Sequence, residues 1–210
     1  MRRGICRLFW ITGFAAVLSL GEPAAGSLNL YFIDVLGGAA TLIVTPEKES
    51  ILIDSGWPGQ DVRDPKRIAH VLKDVAGCDH LDHLVTTHWH IDHYGGVAGL
   101  AKQVEIKHFW DRGLPEDQDP RIDYPEGPKP DDQLGIAYRE TSQGKRAALK
   151  PGDSLPLQGK LKSVVLAAGG RVIDPPAAGA QPNPVCESIE PDHEKDTSDN
   201  ARSVTLRFRF

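Results

Sequence analysis

The chain has 210 residues, 40% of them hydrophobic, enough for one domain with a sizeable core. Its net charge is −5, and −7 once residues 1–26 with their three Arg and one Glu are set aside. That balance does not favour a nucleic-acid or acidic-membrane surface, although a local basic groove is compatible with it.

Residues 1–26 read as a secretory signal peptide. Arg2, Arg3 and Arg7 precede an apolar run from Leu8 to Leu20, Glu22 and Pro23 break it, and Ala24-Ala25-Gly26 supplies small residues, with cleavage expected after Gly26. An uncleaved anchor is the competing reading, but the run falls short of the ~20 apolar residues a spanning helix needs. The expected location is therefore secreted or periplasmic, with no stable membrane anchor after cleavage. In that oxidising setting the remaining cysteines, Cys78 and Cys186, either pair or stand as two separate thiols.

Residues 27–210 are expected to form one domain. Leu28 to Val35, Ala39 to Thr45 and Ser50 to Asp54 are apolar, β-branched runs separated by Gly37-Gly38 and by Pro46-Glu47-Lys48, the pattern of an antiparallel meander. Asp54 ends the third run before the turn Ser55-Gly56-Trp57-Pro58, a position that also suits an Asx turn. Asp64-Pro65 predicts a helix start, with Asp64 as N-cap. Ile68, Val71, Leu72 and Val75 give that helix one apolar face and Gly77 its stop, with His70 on the polar flank.

Leu81 to Thr86 predicts a fourth strand, whose flanking His80 and His83 read as solvated edge residues. Next comes Thr87 to Gly96, THWHIDHYGG, with His88, His90, Asp92 and His93 spaced H-x-H-x-D-H. Neutral imidazole suits Zn²⁺ and its neighbours, and a carboxylate adds a hard anionic ligand, so the cluster reads as two half-built metal sites at a strand end. A solvated His-rich loop is the bland alternative, and the spacing is far more specific than that reading needs. Gly95 and Gly96 are expected to let the backbone approach a bound ion as a helix opens.

Val104 to Trp110 predicts a fifth strand, in which His108 packs or faces solvent. Asp111 to Asp132 carries eight acidic residues against three basic ones, together with many prolines, and reads as an exposed insertion. Its position allows either a lid over the metal loop or a solvated excursion without substrate contact. Ile136 to Leu149 predicts a short helix interrupted at Gly144, Pro151-Gly152-Asp153 a turn, and Leu161 to Ala167 a strand. Residues 169–200, rich in Gly, Pro and acid, predict a long surface excursion in which His193 is solvated or, on a minority reading, a substitute ligand. Ala201 to Phe210 alternates, with Val204, Leu206, Phe208 and Phe210 on one side.

HWHIDH resembles the signature of the metallo-β-lactamase fold superfamily, and FIDVLGGAATLIVTPEKESILIDSG resembles the opening of the hydrolase-like domain in competence-type DNA-uptake proteins and their secreted relatives. The resemblance implies an α/β fold, a four-layer αββα sandwich. It also implies a metal-dependent hydrolase with two Zn²⁺ ions, Mn²⁺ or Fe²⁺ being alternatives. His88 and His90 would serve one metal site, Asp92 and His93 the other. Asp54 would lie beneath the site and orient its loops without binding metal. Asp92 would also be catalytic, holding the attacking water and passing on its proton.

Asn200 to Ser203 is similar to the family's Asn-x-x-Ser element leading into a hairpin. The Gly-Asp and the later His-rich turn that follow in the family have no counterpart, so the resemblance covers about half to two thirds of that domain. The chain accordingly reads as incomplete at its C-terminus, a fragment or one half of a site. The expected substrate is a small molecule, either a phosphodiester or a cyclic amide or ester. A non-catalytic metal-binding remnant and a structural β-sandwich with incidental histidines are the competing functions. The oligomeric state is open.

Overall fold

The computed structural model describes residues 26–59, 61–117, 127–173, 184 and 196–210. The expected signal segment through residue 25, Cys186 and His193 lie outside the described residues. Among those that are described, no helix is long and apolar enough to cross a membrane.

Strands β1 (Asn29–Phe32), β2 (Thr41–Val44) and β3 (Ser50–Ile53) form the expected antiparallel meander. From β3 onward the sheet turns parallel, through β4 (His80–Val85), β5 (Glu105–Asp111) and β6 (Arg146–Ala148), in the order β1-β2-β3-β4-β5-β6. The change follows from the connections. Short loops, residues 33–40 and 45–49, join the antiparallel neighbours, whereas α1 (Arg63–His70), then α2 (Ile91–Tyr94) with α3 (Val97–Ala101), then α4 (Gln133–Ser142) provide the crossovers that parallel strands require. A second sheet holds β7 (Lys162–Ala168), β8 (Arg171–Val172) and β9 (Thr205–Arg209) in the order β8-β7-β9, all antiparallel.

The large sheet is buried on both faces. Leu42, Val44, Leu52 and Phe109 pack with Ile68, Leu72, Val97, Leu100 and Tyr138 of the helices. Ile43, Ile51 and Val85 pack with Leu161, Val165 and Val204 from the second sheet and its flanks. Layers of helix, large sheet and small sheet result, three of the four in an αββα sandwich. The outer helical layer over the small sheet is not among the described residues. Each fully buried Leu or Ile here contributes about 1.5–3 kcal/mol, so both faces of the large sheet are strongly specified.

Several local expectations need correction. Asp64 is not the N-cap of α1: Val62, in the left-handed region at φ 45, holds that place, and the buried Asp64 carboxylate accepts from the Trp57 backbone N–H and from Arg63. The helix continues as a π-helical turn, Val71–Val75, and Gly77 at φ 67 ends it as expected. The helix predicted over Ile136 to Leu149 starts earlier, because Asp132 caps it through the Gly135 N–H. It ends earlier too, since Gly144 at φ 73 turns the chain into β6, which was not foreseen.

Asp111 is no exposed loop residue. It is fully buried, accepting from Tyr138 Oη at 2.7 Å, from two nitrogens of Arg146 and from the Gly113 N–H. Arg112 and Leu114 are buried beside it. Residues 118–126, the middle of the expected lid, lie outside the described residues. The 169–200 excursion is likewise shorter than expected at both ends, with β8 at its start and a buried Asp199 at its close.

Candidate metal centre

The site grows from the C-terminal ends of β3 and β4. Asp54 follows β3 at φ 60 and is 2% exposed. Its backbone N–H donates to Val85 O, tying the two strand ends together. One carboxylate oxygen accepts from the Thr87 N–H at 2.8 Å, and the other from the Thr87 hydroxyl at 2.7 Å and from His93 Nδ1 at 2.8 Å. Since an ionised carboxylate only accepts, His93 carries its proton on Nδ1 and its Nε2 is free to ligate. Thr87 Oγ, having spent its own proton on Asp54, accepts from His88 Nδ1 at 3.0 Å, so His88 also presents Nε2. Asp54 thus fixes the tautomers of two histidines, one directly and one through Thr87.

His88 Nε2 points at His90 Nδ1, 3.0 Å away, and the His88 ring lies 4.0 Å from that of His93. Burial, followed by the neighbouring His93, lowers the pKa of His88 and keeps it a neutral donor. Burial opposes the charging of His93, yet Asp54 and Asp92 outweigh it and raise its pKa. His93 Nε2 is 3.6 Å from an Asp92 oxygen. All four residues singled out by spacing therefore come together, as the pair His88–His90 and the pair Asp92–His93, with Asp54 beneath them.

The donors fit a metal ion in kind. Two imidazole nitrogens face one another, one fixed in tautomer, at nearly the about 3.3 Å edge of a tetrahedron whose corners lie about 2.0 Å from a zinc ion. Among the described residues, no group of three or more His, Cys, Asp or Glu donors closes on one point. The described donors come in pairs.

What holds the loop was less visible in sequence. Trp89 is buried, so the extended backbone at His90 (φ −70, ψ 143) sends His88 and His90 to the opposite side. The Trp89 indole donates to Gly113 O and sits edge-on to Tyr94 and Tyr138. Gly95 and Gly96 do allow a close approach, but to protein: a Cβ at Gly96 would lie 2.0 Å from Ser55 O, and one at Gly95 would lie 2.2 Å from Pro58 Cδ. Ser55 in turn donates its N–H to His93 O. A cleft of about 420 Å³ opens between Leu36, Trp57, Asp61 and Arg63, and none of the four candidate ligands lines it.

Of the other histidines, His70 is exposed, as expected, and pairs with Asp74. His80 is half-buried between Asp79 and Asp82. His83 is the exception. It is 2% exposed, donates from Nε2 to Glu49 at 3.1 Å, and accepts from the Trp110 indole on Nδ1. It is a core histidine rather than a solvated one, and His108 stacks on its outer side. Cys78 is a buried free thiol.

No curated protein matches the chain. Solved structures do match. MEM-A1, a subclass B3 metallo-beta-lactamase from a soil metagenome library, is 22% identical over 72% of this chain and 54% of its own, with a TM-score of 0.47. SMB-1 bound to 2-mercaptoethanesulfonate is 22% identical over 67% and 51%, with a TM-score of 0.46. MIM-1 from Novosphingobium pentaromativorans is 23% identical over 65% and 47%, with a TM-score of 0.45. The chain thus spans about half the length of the solved relatives it matches. A sequence model of the metallo-beta-lactamase superfamily matches residues 33–190, which is most of the chain and includes the whole His88–His93 loop. The chain therefore belongs to the metallo-beta-lactamase superfamily.

Proposed function

We propose that this protein is a secreted metal-dependent hydrolase that attacks its substrate with water activated at the His88–His93 loop. The observation that carries the reading is the facing pair of nitrogens, His88 Nε2 and His90 Nδ1, held 3.0 Å apart by a carboxylate that fixes the tautomer of one of them. His88 and His90 would hold one divalent ion, Zn²⁺ in the first instance, and Asp92 with His93 a second. When bound, such ions lower the pKa of water toward neutrality and polarise the scissile carbonyl or phosphoryl oxygen.

This chain's own residues do the rest. Asp54 keeps His93 and, through Thr87, His88 in the ligating tautomer. Asp92, half-exposed beside His93, holds the proton taken from the attacking water and delivers it to the leaving group. Both a phosphodiester and a cyclic amide or ester suit this chemistry. A generic chromogenic phosphodiester and a chromogenic cephalosporin, assayed side by side on the metal-loaded chain, separate them.

Asp92→Asn should cut turnover on the order of 10²–10⁴-fold while the melting temperature stays close to the parent's. Near-parental turnover by that variant would remove Asp92 from the mechanism. A second reading, a half-site that binds one ion and catalyses nothing alone, is favoured by the pairing of the described donors. Metal analysis separates the two: about two ions per chain with turnover support the hydrolase, one ion without turnover the half-site.

A further inference from the structure

Against the backbone of the loop lies a buried ion pair that the proposed chemistry does not use. Arg112 and Asp199 are both fully buried and bonded to each other, the guanidinium NH2 to one carboxylate oxygen and Nε to the other at 3.2 Å. That second oxygen also accepts the Trp89 backbone N–H at 2.6 Å. The guanidinium lies 6.0 Å above the Trp89 ring. Five residues after Asp199, the Val204 N–H donates to Thr87 O at 2.8 Å. The segment 199–204 therefore grips the peptide on both sides of His88.

Resting on the metal-site reading above, we propose that Asp199, neutralised by Arg112, is the positioning residue that sets the loop's register and so brings His88 Nε2 opposite His90 Nδ1. The physical argument is geometric. In extended backbone, a rotation of the 88–89 peptide swings the neighbouring side chains off a common side. The Trp89 N–H is the atom that reports such a rotation, and Asp199 captures it. Arg112 is needed because an isolated carboxylate at that depth is too costly to keep charged. Neither side chain is a candidate ligand; the grip on the backbone is the pair's main route to the site, beside a lesser charge effect of Asp199 on His88.

The experiment uses the full chain and two double variants. Arg112→Met/Asp199→Leu removes both charges, an exchange that buried pairs often tolerate without loss of stability, and it removes the acceptor for Trp89. Arg112→Met/Asp199→Asn removes the charges but keeps an acceptor oxygen. Co²⁺ is titrated into each against a competing chelator while its visible absorption is followed, and exchange of the Trp89 amide is measured without metal.

The Leu variant should bind Co²⁺ about 10–100-fold more weakly than the parent, with an altered spectrum and a deprotected Trp89 amide. The Asn variant should recover most of the affinity and protection. A folded Leu variant with parental Co²⁺ affinity and a protected Trp89 amide would overturn the positioning role, as would equal losses in both variants. If the parent itself binds no Co²⁺, the metal reading fails, and the Trp89 amide alone decides whether the clamp sets the loop.

Discussion

Strand β4 carries a histidine within it and leads into others just beyond its end, and the two groups are built on opposite principles. Within the strand, His83 has each ring nitrogen committed to protein, Nε2 to Glu49 and Nδ1 to the Trp110 indole, and Glu49 is itself held by the Gln158 N–H. Just beyond its end, His88 and His93 each have Nδ1 held by contacts that lead to Asp54, while Nε2 faces another residue of the same loop, His90 Nδ1 at 3.0 Å and an Asp92 oxygen at 3.6 Å. A histidine whose two nitrogens are satisfied by the fold is structural. One whose second nitrogen is left facing another donor is available to a ligand. Count of histidines and distance along the chain do not separate the groups; the destination of the second nitrogen does.

The largest effect is expected at Asp54, on which the whole site end hangs. Asp54→Ala orphans the Thr87 N–H, the Thr87 hydroxyl and His93 Nδ1 and puts alanine at φ 60, for a destabilisation of about 3–4 kcal/mol in urea unfolding. Asp54→Asn tolerates the left-handed backbone and keeps acceptor capacity, so it should lose clearly less. Equal losses would mean that the carboxylate's acceptor role is not what ties β3 to the loop.

Within β4, His83→Phe leaves Glu49 and the Trp110 indole short of a partner inside the core, at a cost of about 2 kcal/mol, without touching the candidate metal loop. Its affinity for Co²⁺ should stay within twofold of the parent's. A large drop in affinity would show that the strand's histidine and the loop beyond it are not independent.

The smallest effect is a pH dependence beside His83. Burial opposes ionisation of Asp82, but hydrogen bonds from Ser50 and the Lys107 ammonium prevail and hold its pKa at about 2. A carboxyl depressed in the folded state contributes stability that is complete above its unfolded value, about 3.9, and is lost as the pH falls toward about 2. Between pH 5 and pH 2 the urea midpoint of the parent should therefore fall further than that of Asp82→Asn. Parallel profiles would rule out Asp82 as a contributor.

These contrasts also explain what was legible in the sequence. The meander, the apolar stripe of α1, the strands β4, β5 and β9, and the H-x-H-x-D-H spacing are local patterns, with periods or motifs contained in about ten residues. Asp54 was readable only because a resemblance supplied its role. The residues that were misplaced or left unread depend on partners far along the chain: His83 on Glu49 across 34 residues and Arg112 on Asp199 across 87 were misplaced, and Trp89, held by Asp199 across 110, was left unread. Composition makes such residues look solvated, since a charge or an imidazole in an acidic, proline-rich stretch carries no sign of the group that will bury it. β6 escaped for a related reason, because its three residues form a strand only by pairing with β5.

The central claim is that the loop beyond the end of β4, and not the histidine within the strand, is the place that holds metal. Co²⁺ titration of the parent, His88→Ala and His83→Phe, followed by visible absorption, tests it most directly. The account predicts saturable binding by the parent and by His83→Phe, and affinity lower on the order of 100-fold or more in His88→Ala, since losing a ligand costs at least as much as losing the group that orients one. Unchanged binding in His88→Ala, or loss of binding in His83→Phe with His88 intact, would contradict it.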